Sequence, residues 1–360
     1  LKCLKKLKDK GFTDSGLVKE IARVEKAYLA TVETMAEAAD SLVPVDFDNG
    51  EKKQTRAVEQ DIPFELLSRY EVIKKLGEGG TAVVYLAEDK VLKRSVVLKF
   101  LRNFYLPPEI AEKYFLREAQ TAAQLSHQNI VTIYDLGVLN QQLYIVMEYL
   151  DGVTLDDLLI QRKQGIEFSE AVKIVEELAK AIDFAHSKKV VHRDIKPGNI
   201  IITKSGAIKL MDFGMAKIMD AKSDRSQYIC GTPDYMSPEQ ESGEEPTNLS
   251  DIYSFGVTIL EMLCNRLPPV FGGREMLADM RESYLKTLED KIPMEVVAVI
   301  RKTLSPLKEN RPASAGEIAR VFREFSRGTK REAGYRAPNE KRVSTSDFIL
   351  SKADTGMQLI

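Results

Sequence analysis

The chain has 360 residues, 44% hydrophobic and 29% charged, the composition of a folded globular protein rather than a disordered one. Its net charge of −2 excludes a globally basic nucleic-acid binder or a polybasic membrane-surface protein. Cys3, Cys230 and Cys264 are isolated, with no C-x-x-C pair, which points away from disulfides or zinc and toward a reducing cytoplasm.

Residues 1–47 read as a helical extension. Lys2–Lys10 is basic, then Leu17, Ile21, Val24, Tyr28 and Val32 recur at helical spacing. That apolar stripe needs a partner to bury it: this chain's own body, an upstream domain or a second copy, so a homodimer is one expectation. Residues 48–63 are polar, lack periodicity and read as a linker. No apolar run reaches the roughly 18–20 residues of a membrane span, and no signal-peptide pattern opens the chain. Because it begins at Leu1, the chain also suits a cytoplasmic piece of a longer membrane protein.

A compact domain is expected over 64–326. Tyr70–Leu76, Val83–Glu88, Ser95–Phe100 and Leu143–Tyr149 read as strands, with a helix over about Pro108–Leu125 between them. Beyond Gly152 helical patterns dominate, as in Ser169–His186, apolar at Val172, Val175, Leu178 and Ile182, and in Ser250–Leu263. A small sheet-rich lobe followed by a larger helical lobe is α+β organisation. Residues 327–360 are basic, bear Ser and Thr, and lack large apolar residues before Phe348, which predicts a disordered tail.

Four strings carry chemistry. Leu76-Gly77-Glu78-Gly79-Gly80-Thr81-Ala82-Val83-Val84 sets glycines between two strands, where backbone N–H groups can close over phosphates with no Cβ in the way. Val96-Val97-Leu98-Lys99 ends a strand on a lysine, a residue that is ordinarily only a solvated charge. Val191-His192-Arg193-Asp194-Ile195-Lys196-Pro197-Gly198-Asn199 is the most specific. Its carboxylate, lysine and amide must share one loop to serve one reaction centre. Asp194 can orient a hydroxyl and accept its proton, Lys196 can neutralise a phosphoryl group, and Asn199 can bind magnesium through its side-chain oxygen. Met211-Asp212-Phe213-Gly214 follows an apolar strand at Ala207–Met211.

Together these strings resemble the protein kinase superfamily over about Tyr70–Ser326. Their wording, with Gly231-Thr232-Pro233-Asp234-Tyr235-Met236-Ser237-Pro238-Glu239, is similar to bacterial eukaryotic-type (Hanks-type) Ser/Thr protein kinases. The resemblance implies a two-lobed fold, transfer of the ATP γ-phosphoryl group to Ser or Thr of protein substrates, and Mg2+, with Mn2+ as an alternative. It implies that Lys99 grips the α- and β-phosphates and pairs with Glu118, and that Asp212 is a second magnesium ligand. Leu76, Gly77, Gly79, Gly80 and Ala82 would cover the nucleotide, and Val84, Val97 and Ile201 would sandwich adenine. The backbone of Glu148 and Leu150 would hydrogen-bond it, beside a Met147 gatekeeper.

The resemblance further assigns Thr232 to the acceptor pocket, Glu239 to a structural pair with Arg311, and Asp251 to bracing the Asp194 loop. His127 reads as a loop residue entering a strand, His186 as a helix end, and His192 as packing beneath the Asp-Phe-Gly turn. Ala82, Val97 and Ser237 depart from the family's usual Gly, Ala and Ala, changes expected to alter fit more than chemistry. Arg193 and Lys217 would gather around a phosphorylated Ser223 or Ser226. Two competing readings are a pseudokinase and a small-molecule phosphotransferase. The presence of Lys99, Glu118, Asp194, Asn199 and Asp212 opposes the first, and the intact Gly231–Glu239 segment opposes the second.

Overall fold

The computed structural model describes residues 62–326, except 63, 80–81, 103–119, 121–122, 141, 214–232, 266 and 268–272. The expected helical extension, most of the linker and the tail lie outside the described residues.

A short helix, α1 (Phe64–Arg69), leads into five strands: β1 (Tyr70–Glu78), β2 (Ala82–Asp89), β3 (Arg94–Leu101), β4 (Ile133–Leu139) and β5 (Gln142–Glu148). They form one antiparallel sheet in the order β1-β2-β3-β5-β4. The expected helix over 108–125 is largely outside the described residues, but it has ended before Leu125, which is buried in the loop that precedes β4.

The register decides what each face does. Val84, Lys99 and Ile145 stand opposite one another, as do Leu86, Val97 and Met147. Directly opposed residues and alternate residues share a face. One face therefore carries Ala82, Val84, Val97, Lys99 and Met147 together. The other buries Val83, Tyr85, Val96, Leu98, Phe100 and Val146 against Leu66 of α1 and Ile62. Ile62 falls in the stretch read as linker, yet it is only 5% exposed, so packing begins before α1.

The second lobe contains β6 (Gly152–Thr154), α2 (Leu155–Arg162), α3 (Phe168–Ser187), β7 (Ile200–Thr203) and β8 (Ile208–Leu210). It continues with α4 (Pro238–Glu241), α5 (Asn248–Cys264), α6 (Gly273–Leu288), α7 (Met294–Thr303) and α8 (Ala315–Ser326). Strands β6, β7 and β8 make a small antiparallel sheet, joined to the loop before β4 by a parallel bridge between Ile130 and Leu210. Helix α3 buries Val172, Val175, Leu178 and Ile182, the stripe its periodicity predicts. Helix α5 is buried along almost its whole circumference, which makes it the centre of the lobe. At Gly256 a Cβ would lie 2.0 Å from Thr303 Oγ1, so glycine is what lets α5 and α7 approach. Among the described residues no helix is long and apolar enough to cross a membrane.

Helix α4 is tied to the rest by a buried ion pair. Arg311 Nη1 and Nη2 donate to Glu239 Oε1 and Oε2 at 2.7 and 2.9 Å, and Ser250 Oγ donates to Oε1 at 2.7 Å. Arg311 also donates to the carbonyls of Leu249 and Ser305, so both charges are satisfied inside the protein. Burial pushes the Glu239 carboxyl up, but Arg311 and Ser250 outweigh it and hold its pKa at about 2. A depressed carboxylate stabilises the fold above the unfolded-state pKa and loses that contribution as pH falls through about 2. Arg311→Leu should therefore cost about 3–5 kcal/mol at neutral pH. Denaturant titration should also show the deficit shrinking as pH falls below the ordinary carboxylate range.

Candidate active site

The loop between α3 and β7 carries the densest set of reactive groups, and its shape is imposed from below. Asp251, on α5 and 1% exposed, accepts from the backbone N–H of His192 through Oδ2 and of Arg193 through Oδ1, both at 2.8 Å. His186 Nε2 donates to the same Oδ2 at 2.7 Å. Arg193 has φ +73°, a left-handed conformation that a non-glycine residue keeps only when its surroundings insist on it. Thr258 Oγ1, one turn further along α5 than Ser254, donates to the Ser254 carbonyl at 2.9 Å, with Ile195 O at a longer 3.4 Å.

His192 joins this loop to the segment after β8. Its Nε2 lies 2.8 Å from the Met211 carbonyl, which can only accept, so Nε2 carries the proton and Nδ1 accepts from the Asp194 N–H at 3.2 Å. The ring packs on Phe213 with centroids 4.5 Å apart, the position expected for it. Met211 N–H donates to Asn199 O at 2.9 Å, closing a second link between the two segments.

The side chains follow from that backbone. Lys196 Nζ is 2.8 Å from Asp194 Oδ2, and Asn199 Nδ2 donates to the same oxygen at 3.0 Å and to Asp194 O at 2.7 Å. Both contacts orient one carboxylate and leave the Asn199 oxygen as an acceptor. From the opposite lobe Lys99 Nζ reaches Asp212, 2.7 Å from each carboxylate oxygen. Burial pushes the Asp212 carboxyl up, but the Lys99 ammonium outweighs it and holds it below the ordinary carboxylate range. Asp212 has φ +67°, a second strained residue at the same place.

The residues expected around adenine form an apolar wall. Ala82 and Met147 are buried, with Val97, Leu150 and Met211 packed around them. Ile201, part-buried on β7, stands opposite Thr154 and Lys209. Leu76 sits where the β1 register shifts, and Gly79 N–H closes the turn on Ala82 O at 2.9 Å. Glu148 is anchored on both sides: its carboxylate binds Lys209 Nζ of β8 at 2.7 and 2.9 Å, and its N–H donates to Thr132 O at 2.9 Å. Gly80, Glu118, Thr232, Ser223, Ser226 and Lys217 lie outside the described residues.

Asp212 and Asn199 offer two hard oxygen donors beside a lysine suited to phosphate. That set fits magnesium, which takes one or two protein ligands and completes its shell with substrate phosphates and water. Among the described residues no cluster of three or more His, Cys, Asp or Glu could hold a metal by itself.

Several polar positions escaped the reading of the sequence. Ser254 and Thr258 stand in an apolar helix four and eight residues beyond Ser250; the Ser254 hydroxyl donates to Tyr235 O and that of Thr258 to Ser254 O. The i, i+4, i+8 repeat of Ser and Thr was the available signal. Glu261 shares a hydrogen bond with the Tyr235 hydroxyl, and nothing in its local sequence marks it.

A two-lobed α+β fold, with a lysine bound to an aspartate across the cleft and a carboxylate–lysine–amide loop beside it, fits a phosphoryl-transfer enzyme class. The family described as "Protein kinase domain" matches residues 70–321, and the chain belongs to it. Within that family it is a bacterial Hanks-type Ser/Thr kinase domain. It is 37% identical over 258 residues to the probable serine/threonine-protein kinase PknB of Lactococcus lactis, covering 69% of this chain and 41% of that protein. Serine/threonine-protein kinase PrkC of Bacillus subtilis is 43% identical over 201 residues, 56% of this chain and 31% of that one. The crystal structure of the Mycobacterium tuberculosis PknI kinase domain superposes with a TM-score of 0.54 at 25% identity, over 72% of this chain and 96% of that one. The chain thus spans well under half the length of these curated relatives.

Burial raises the Glu261 carboxyl to about 7, with Asp156 and Asp234 adding to the rise and the Tyr235 bond opposing it. A raised carboxyl contributes stability below its unfolded value, 4.5, and loses it as pH climbs through about 7. Glu261→Gln should therefore flatten the stability profile between those two pH values. Thermal melts of both proteins across that window give the comparison, and an unchanged slope would refute the assignment.

Proposed function

We propose that this chain transfers the γ-phosphoryl group of ATP to Ser and Thr hydroxyls of protein substrates. The observation that carries the reading is the convergence of Lys99 and Asp212 across the cleft with Asp194, Lys196 and Asn199 beside them. In this reading the acceptor hydroxyl oxygen attacks the γ-phosphorus while the bond to the β,γ-bridging oxygen breaks, ADP leaves with that electron pair, and the hydroxyl proton passes to Asp194. Lys196, already bound to Asp194, faces the transferring group, and Lys99 faces the α- and β-phosphates with Glu118 as its partner. Asn199 and Asp212 would hold Mg2+, or Mn2+, whose charge offsets that of the phosphates when bound. Val84, Val97 and Ile201 flank adenine, Met147 lines its rear, and the Glu148 and Leu150 backbone binds its edge. Leu76, Gly77, Gly79, Gly80 and Ala82 close over the phosphates, and Thr232 shapes the acceptor pocket.

Regulation by autophosphorylation of Ser223 or Ser226 belongs to the same proposal. Arg193, which would receive the phosphate, meets Glu245 only at 3.8 Å, and that glutamate is 82% exposed. Such a pair is weak and readily exchanged for a phosphate.

A labelled-ATP assay with magnesium and a generic protein acceptor tests the activity. Asp194→Asn should lower the rate by about 10²–10⁴-fold, and transfer that survives this change would sink the mechanism. Phosphopeptide mapping of the active protein should find phosphate on Ser223 or Ser226, and both serines unmodified would remove the regulatory part.

A further inference from the structure

We propose that Gln240 is a positioning residue for Asp194, coupling the end of the segment that follows Asp212 to the catalytic loop. This rests on the kinase reading above and extends it to a residue outside the reaction centre. Gln240 Nε2 donates to the Arg193 carbonyl at 3.0 Å, across 47 positions of sequence. The Arg193 N–H is already held by Asp251, so both peptide groups of this strained residue are clamped, one from α5 and one from α4. The Arg193 carbonyl belongs to the peptide plane that carries the Asp194 nitrogen. Fixing that plane fixes the direction in which the Asp194 side chain leaves the backbone.

The Gln240 amide cannot turn over. Its Oε1 accepts from the Ser237 N–H at 3.2 Å and from Ser237 Oγ at 3.0 Å, while Ser237 Oγ accepts from the Gln240 N–H at 3.4 Å. A flipped amide would set its oxygen against the Arg193 carbonyl and its NH2 against the Ser237 N–H. Ser237 is fully buried, so these bonds have no water to replace them. The serine that departs from the family's usual alanine thus caps α4 and aims Gln240 at the loop. A pull on the segment end is passed through Ser237 and Gln240 to the peptide before Asp194.

Gln240→Glu keeps the acceptor for Ser237 and removes the donor to Arg193; Gln240→Ala removes both. Each should lower kcat by about tenfold, the effect of one lost hydrogen bond with a carbonyl left unpaired. The KM for ATP should stay within about twofold, because the backbone of Glu148 and Leu150 is untouched. Gln240→Glu, which keeps the Ser237 bonds, should melt above Gln240→Ala, and amide exchange over residues 192–196 should quicken in both. Unchanged kcat in both variants, with an active wild type, would overturn the proposal. So would a loss of kcat confined to Gln240→Ala and matched by a lower melting temperature. If the wild type transfers nothing, the kinase reading fails, and the exchange rates alone then decide the role of Gln240.

Discussion

Helix α5 is buried on nearly every side, and a buried polar group must find a partner inside the protein. Three of its polar side chains satisfy that demand outward, on neighbouring segments of the chain. Ser250 meets Glu239, Asp251 meets His192, Arg193 and His186, and Ser254 meets Tyr235, while Thr258 donates to the helix's own Ser254 carbonyl. Their spacing puts them along one face. A single rigid helix therefore sets the backbone of the loop that carries Asp194 and of the segment ending at α4. The strained φ of Arg193 is tolerated because Asp251 makes it the conformation in which a buried carboxylate is satisfied.

The two lobes meet through paired charges as well as apolar contacts, Met211 packing by Ala82 and Met147, and Ile133 by the second lobe's core. Lys99 of β3 binds Asp212, and Glu148 at the end of β5 binds Lys209 of β8. Each of these side chains is partly exposed, so the pairs add little to stability after desolvation. What they supply is placement. The Lys99 pair brings a cation suited to phosphate beside a carboxylate suited to magnesium. The Glu148 pair pins the strand from which Met147 faces the cleft. Tyr235 and Glu261 show the opposite use of burial, where a carboxyl is kept near neutrality by being denied both water and a cation.

Contiguous strings were legible because local geometry demands them. The Gly79 N–H closes the end of β1 on Ala82 O, and Asp194, Lys196 and Asn199 reach one point only if they share one loop. Strand and helix cores were legible from periodicity, with boundaries off by one or two residues where caps and bulges intervene. Glu239 and Arg311 were legible only through resemblance, since 72 residues separate them. Ile62, Gln240 and Glu261 were not legible at all. Ile62 stands alone in a polar stretch, and each of the others matters because of a partner brought near by folding.

The sequence by itself determined the chemistry of this protein: the residue types, their order and the loops that must carry them. Those properties depend on bonds and spacings along the chain, which folding does not alter. Only the tertiary structure decided which hydrogen-bond capacity is spent where. Asp251 holds the loop, Ser237 aims Gln240 at Arg193, and Lys99 rests on Asp212. That division is physical: burial makes every polar group find a partner, and the nearest partner in space is a stranger in sequence.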